Sequence, residues 1–187
     1  LNGRYDGKPQ PLRQGSWAVV PPNSFFADLE GLRVELCVFP TLVDGSRTLL
    51  DCSDERGGFA LELRDGVACF VTRGDDGTAI ELTAESPVPL RRWTRITASY
   101  DPDEEEIQLS AVPLVTAPGD RVTARPWTAK RRARARVCSR GSVTFAARTQ
   151  GGQRDQYFDG RLDACSVASD PYGEPDVRWD FSLDIGT

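Results

Sequence analysis

The stretch Tyr157-Phe158-Asp159-Gly160-Arg161-Leu162-Asp163-Ala164-Cys165-Ser166-Val167 decides how this chain is read. An aromatic, a glycine two residues on, an aliphatic-Asp pair and then alternating small and apolar residues describe a β-strand. Glycine at position 160 either lets another backbone come close or opens a bulge, so a kink is expected there before the strand pairs. Some fifty residues earlier, Trp93-Thr94-Arg95-Ile96-Thr97-Ala98-Ser99-Tyr100-Asp101 sets Ile96, Ala98 and Tyr100 against polar neighbours. That is the period of a strand with one face buried.

The same period runs through most of the chain. Leu32, Val34, Leu36 and Val38 form one face of a strand, with Arg33, Glu35 and Cys37 on the other. Gly58 to Arg64, Asp65-Gly66 and Val67 to Val71 spell a hairpin, because Asp-Gly supplies the two positive-φ residues of a type I′ turn. Val143 to Arg148, Phe158 to Val167 and Val177 to Phe181 complete the series. No segment carries sustained helical periodicity. Roughly a dozen strands separated by turn signals predict an all-β, two-sheet antiparallel jelly-roll sandwich with little helix. The 187 residues fit one domain, 1–187, expected to be a piece of a longer protein because the sequence contains no Met. Residues 113–140, which carry three Pro, one Gly and a basic run, read as a long basic loop or excursion over one edge.

Composition narrows the function. The balance of 23 basic and 28 acidic residues gives a net charge of −5. An acidic chain is a poor partner for nucleic acid, whose binding is dominated by phosphate neutralisation. No apolar run is long enough to span a membrane. With no His, a Ser-His-Asp triad, a Cys-His dyad and a His-ligated metal are all excluded within this chain. Cys37, Cys52, Cys69, Cys138 and Cys165 are odd in number and lack CxxC spacing. They read as reduced core thiols of a cytoplasmic protein, the alternative being a secreted protein with one disulfide.

A glycosidase of this architecture needs two inward carboxylates on one strand, and no E-x-D-x-E string occurs. No catalytic residue and no bound cofactor are therefore expected. Asp101 and Asp103, in the acidic turn that continues through Glu104-Glu105-Glu106, and Asp159 in the Tyr-Phe-Asp-Gly corner are the candidate calcium ligands, since calcium takes many oxygens. The ordinary reading of the same acidic tip is a solvated turn. Trp127, beside Pro126, is the tryptophan placed for ligand contact, and Arg131, Arg132 and Arg134 the candidates for contact with an anion or a partner. Trp93 and Trp179 read as core or rim packing.

The pair of motifs, W-x-x-I-x-x-x-Y-D over Trp93 to Asp101 and F-x-G-x-L-D over Phe158 to Asp163, resembles the pattern of laminin-G-like domains in the concanavalin A-like lectin and glucanase superfamily. That resemblance implies a sandwich used for binding or scaffolding. The carboxy-terminal string Trp179-Asp180-Phe181-Ser182, followed by Ile185 and Thr187, resembles the laminin-G-like region of the large subunit of N,N-dimethylformamidase and its bacterial relatives. There the sandwich precedes a catalytic part with a mononuclear iron held by Tyr and Glu, and nothing in this chain matches that iron site. The resemblance implies an accessory or assembly domain whose partner is the catalytic domain or subunit of the same protein. The alternative is a lectin-type module with a glycan as partner.

Overall fold

The computed structural model describes residues 4–5, 8–9, 16–115, 124–150 and 153–181. The expected Ser182 to Thr187 part of the carboxy-terminal motif lies outside them. In chain order the strands are β1 Arg4–Tyr5, β2 Lys8–Pro9, β3 Ala18–Val20, β4 Leu32–Pro40, β5 Ser46–Ser53, β6 Gly58–Arg64, β7 Val67–Arg73 and β8 Ala79–Pro87. They continue with β9 Thr94–Asp101, β10 Glu106–Pro113, β11 Trp127–Arg132, β12 Val143–Phe145, β13 Arg148–Gln150, β14 Gln153–Asp155, β15 Gly160–Ala168 and β16 Val177–Trp179. The one helix among the described residues, α1 Ser24–Ala27, is a single turn capped by the Asn23 side chain.

Two antiparallel six-stranded sheets stack on each other, β11-β10-β9-β4-β15-β16 and β3-β12-β5-β6-β7-β8. Why these residues form these layers is plain in β4, whose burial alternates residue by residue along its whole length. Leu32, Val34, Leu36 and Val38 face inward, and Arg33, Glu35 and Cys37 face out. Ile96, Ala98 and Tyr100 of β9 and Ile107, Leu109 and Ala111 of β10 meet the inner face of the second sheet, where Phe59, Leu61, Leu63 and Phe70 are fully buried. Burying such side chains gives roughly 1.5–3 kcal/mol each and dominates the fold's stability. The Asp65-Gly66 turn is as the sequence reading has it, with φ of 49° and 81°.

Three details differ from that reading. The kink of the Phe158–Val167 strand is not at Gly160 but at Asp163 to Ser166, where the register with β4 shifts and Ala164 takes a φ of 47°. Gly160 serves the close approach: a Cβ there would meet the Phe39 carbonyl oxygen and the Phe158 ring. The stretch expected to be one strand from Val143 to Arg148 is broken at Ala146, φ 61°, and the chain restarts as β13. The expected excursion at 113–140 contains β11, which pairs with β10 over six residues. Its alternation is masked by charge, because inward-facing Arg131 lies at the sheet edge and donates from its guanidinium to the Glu81 carbonyl at 2.8 Å. That bond ties the β11 edge of one sheet to the β8 edge of the other and closes this flank of the sandwich.

All five cysteines are free thiols. Burial pushes the Cys52 thiol up to about 12, raises Cys69 and Cys165, and outweighs the Arg95 guanidinium at Cys37. Cys37 and Cys138 are half-buried. The native chain should therefore give two slowly titrating thiols to an aromatic disulfide reagent and all five only on unfolding. Rapid reaction of all five in the native chain would contradict this packing.

At the end of the sandwich that holds the β5–β6 turn, Asp54 accepts from the amides of Arg56 at 2.7 Å, Gly57 at 3.0 Å and Arg140 at 2.7 Å. Burial opposes ionisation of this carboxyl, but these bonds and the Ser139 hydroxyl outweigh it and hold it below its ordinary value. A depressed folded-state value means the contribution is complete above the unfolded value of about 3.9 and disappears as pH falls through the folded one. Thermal melts of an Asp54→Asn chain are expected to start lower at neutral pH and to lose less between pH 4 and pH 2 (about that window) than the parent. Parallel curves would show that Asp54 does not couple to folding.

Candidate binding site

The opposite flank of the sandwich, where β3 and β12 face β15, does not close. Between the sheets lies a groove of about 480 Å³ whose lining includes Trp17, Phe145, Phe158, Leu162, Phe181 and Asp159. Its aromatic wall is continuous with the core. Phe26 stacks on Trp179 with centroids 6.4 Å apart, Trp179 meets Phe145 edge-on at 5.1 Å, and Phe145 meets Phe181 at 5.2 Å. Aromatic pairs favour such edge and offset arrangements. Trp17 forms the outer lip, with Tyr157 tilted against it at 5.8 Å and the Arg154 guanidinium 4.8 Å above its ring. Trp17 is 38% exposed and Phe181 39%, large values for side chains of this size. Asp159 is neutralised by Arg47 at 3.2 Å, so the aromatic lining is interleaved with Ser16, Thr41 and one balanced charge.

The local sequence explains the construction. Gly160 permits β15 to pass close to β4 and brings Phe158 inward, where it is 6% exposed. The positive φ of Ala146 ends β12 just after Phe145 and lets Phe158 donate its amide to the Ala146 carbonyl at 2.9 Å. The Trp179-Asp180-Phe181 string then supplies alternate rings.

Of the candidate site residues singled out from the sequence, Asp159 lines this groove and the others are placed elsewhere. Asp101 accepts from the Tyr172 hydroxyl at 2.7 Å and from the amides of Asp103 and Glu104, which hold it below the ordinary carboxylate range. It lies where β4 begins, since Tyr100 pairs with Leu32, whereas Asp159 lies where β4 ends, beside Thr41. The nine residues of β4 separate them by about 26 Å, so Asp101 and Asp103 share no site with Asp159. No group of three or more metal-ligating side chains converges among the described residues. The basic run is engaged within the chain: Lys130 bonds Glu106 and Arg134 bonds Glu105, each at 2.6 Å, while Arg132 is exposed on the outer face of β11. Such exposed pairs contribute little stability, but they fold the basic stretch against the acidic hairpin tip. Trp127 faces inward at the start of β11 and lines a second, smaller groove.

Among the described residues Glu62 is the most deeply buried carboxylate, 1% exposed, and is clamped by Arg64 at 3.0 Å and Arg148 at 3.1 Å. Arg148 reaches it from the β13–β14 hairpin, which lies over the outer face of the second sheet. Fixed between two guanidiniums, Glu62 has the surroundings of a structural ion pair.

Comparison with solved structures agrees on the architecture. The chain superposes on the LG1-3 region of the laminin α2 chain with a TM-score of 0.61 at 14% identity, over 88% of this chain and 32% of that one. It superposes on the CBM40 of Ruminococcus gnavus IT-sialidase, bound to α2,3-sialyllactose, with a TM-score of 0.58 at 14% identity, over 84% and 91%. A heptameric pentraxin from Limulus polyphemus matches with a TM-score of 0.55 at 11% identity, over 81% and 67%. The chain has a concanavalin A-like, laminin-G-like jelly-roll fold. It spans about a third of the laminin chain it matches. No protein-family model matches the sequence, and no curated protein matches it.

Proposed function

We propose that this chain is a non-catalytic interaction domain that packs, through the open-edge aromatic groove, on the catalytic part of a larger amidase-like bacterial protein. The observation that carries the reading is the groove itself. Its aromatic wall, lipped by the exposed rings of Trp17 and Phe181 and interleaved with Ser16, Thr41 and the Arg47-paired Asp159, offers the mixed surface of a contact site. It lies where the carboxy-terminal motif, whose resemblance suggests the amidase context, leaves β16. The chemistry available inside the chain fits the same view: there is no histidine, and the deepest carboxylate is held between two arginines. A photoreactive phenylalanine in place of Trp17, in the natural polypeptide that carries this chain, should crosslink to residues outside 1–187. Crosslinks confined to the 187 residues, or to a second copy of them, would refute the docking surface.

A second reading, glycan binding, is favoured by the likeness to the sialyllactose-bound CBM40, which extends over nearly the whole of both chains. The groove beside Trp127 offers an aromatic wall.

A further inference from the structure

The outer face of the second sheet is covered where the pleat alone would leave it wet. Ala60 and Glu62 alternate with the inward Phe59, Leu61 and Leu63 of β6, yet they are 3% and 1% exposed. Around Ala60 lies a depression of about 140 Å³, floored by Gly58, Ala60 and Val71 and rimmed by Arg64, Arg73, Arg148 and Glu81. Glu62 accepts from the Nε of Arg64 at 3.0 Å and from a terminal nitrogen of Arg148 at 3.1 Å. Arg64 turns its two terminal nitrogens to Glu81, at 2.7 Å and 3.0 Å. These four side chains form a balanced network that pins the β13–β14 hairpin over the sheet. Arg73 stands outside it: its guanidinium donates to the Gly77 carbonyl at 3.1 Å and brings a third positive charge to the rim. Holding the hairpin needs two arginines, and that role leaves the third unexplained.

We infer that this depression is a subsite for the single carboxylate group of a small organic acid, received between Arg73 and Arg148. A carboxylate and a guanidinium are both planar, and their two-pronged pairing is stronger and more directional than a neutral hydrogen bond. The Gly77 and Glu62 bonds occupy one nitrogen of Arg73 and one of Arg148, whereas a guanidinium carries five N–H donors. Glu62 fixes the Arg148 fork in advance, so little side-chain freedom is lost when the ligand arrives. The volume admits a carboxylate and excludes a ring, leaving the body of the acid outside. Glu62, Glu81 and Asp51, which lies opposite Ala60 and accepts from the Ser53 amide at 3.2 Å, offset most of the positive field. A planar, singly charged anion is therefore favoured over a phosphate dianion, which the same carboxylates repel. The inference does not rest on the open-edge groove.

The test is a titration of the 187-residue chain, labelled with nitrogen-15, with acetate and with glucuronate, ionic strength being held constant with chloride. The Nε–H signals of Arg73 and Arg148, assigned by their loss in Arg73→Lys and Arg148→Lys, are expected to shift saturably with a Kd of about 1–20 mM. Glucuronate binding more tightly than acetate, with methyl glucoside silent, would identify the acid group of a sugar as the ligand, and equal binding would identify a simple acid. Arg73→Gln, outside the Glu62 network, is expected to weaken binding about fivefold or more and to move Tm by less than about 2 °C. Ala60→Val keeps every charge and fills the floor, and is expected to abolish the shifts in a chain that still melts cooperatively. Phosphate or sulfate bound more tightly than acetate would contradict a carboxylate subsite. So would shifts that every salt produces alike, chloride included, or an Ala60→Val chain that binds as before. Arginine signals unmoved by both acids would remove the site and leave the open-edge groove untouched.

Discussion

Gly160→Val is expected to destabilise the chain by about 4 kcal/mol or more and to disorder the groove with it. A Cβ at this position meets the Phe39 carbonyl oxygen on one side and the Phe158 ring at 2.6 Å and 2.8 Å on the other. The ring could turn only by leaving its buried seat, and the carbonyl belongs to β4, where Pro40 pairs with Gly160 itself. The clash therefore unzips the first pair of the β4–β15 ladder or expels Phe158 from the groove. Denaturant midpoints, with intrinsic fluorescence reporting on the nearby Trp17, measure both consequences. Valine tolerated within about 1 kcal/mol would mean that β15 does not pass β4 at this distance.

Phe59→Ala is the second large effect, expected at about 3–5 kcal/mol. Phe59 is fully buried on β6, pairs across to Thr72 of β7 and lies 6.5 Å from the Phe26 ring of the single helical turn. Truncation removes an aromatic that joins both sheets to the helix and leaves a cavity that stiff β-strands cannot collapse into. Phe59→Leu, which keeps most of the volume, should recover more than half of the loss. Equal melting of the alanine and leucine variants would indicate that the site relaxes freely and that the core is not close-packed here.

Much of the architecture is legible in the residues because burial here follows a simple period. Leu32 to Val38 and Trp93 to Asp101 alternate so cleanly that only a half-buried strand fits them, and the Asp65-Gly66 dipeptide names its own turn. Where the structure departs, a second requirement overrode the pattern. Arg131 occupies an inward position of β11 because the sheet edge lets its guanidinium reach a carbonyl across the sandwich, and a charged residue in such a place disguises the strand as a loop. Ala164 adopts a positive φ because a bulge must absorb an extra residue between two ladders that β4 keeps straight, and alanine gives no sign of that role.

The candidate site was less legible. Phe158 and Gly160 stood out as a motif, yet nothing local in Trp17 or Phe145 shows that the two would lie side by side along one wall of an unclosed edge. That edge exists only because β3 and β12 stop after three residues each, leaving the flank opposite β8 and β11 open. That the acidic residues do not share one place was hidden for the complementary reason. Asp101 and Asp159 sit in similar sequence surroundings, and only the length of β4 reveals that they lie at opposite ends of the molecule. Trp127 was placed for ligand contact by its neighbours in sequence, whereas the gathering of Arg64, Arg73 and Arg148 around Ala60 becomes visible only in three dimensions.

Amide hydrogen exchange of the isolated 187-residue chain, set against the same residues within the natural polypeptide that carries them, tests the docking groove most directly. Exchange is expected to slow, in the larger protein we propose, across Trp17 to Val20, Val143 to Ala146 and Phe158 to Leu162, and to stay unchanged across Lys130 to Arg134. Unchanged exchange along those three segments, or protection centred on the basic run instead, would contradict it.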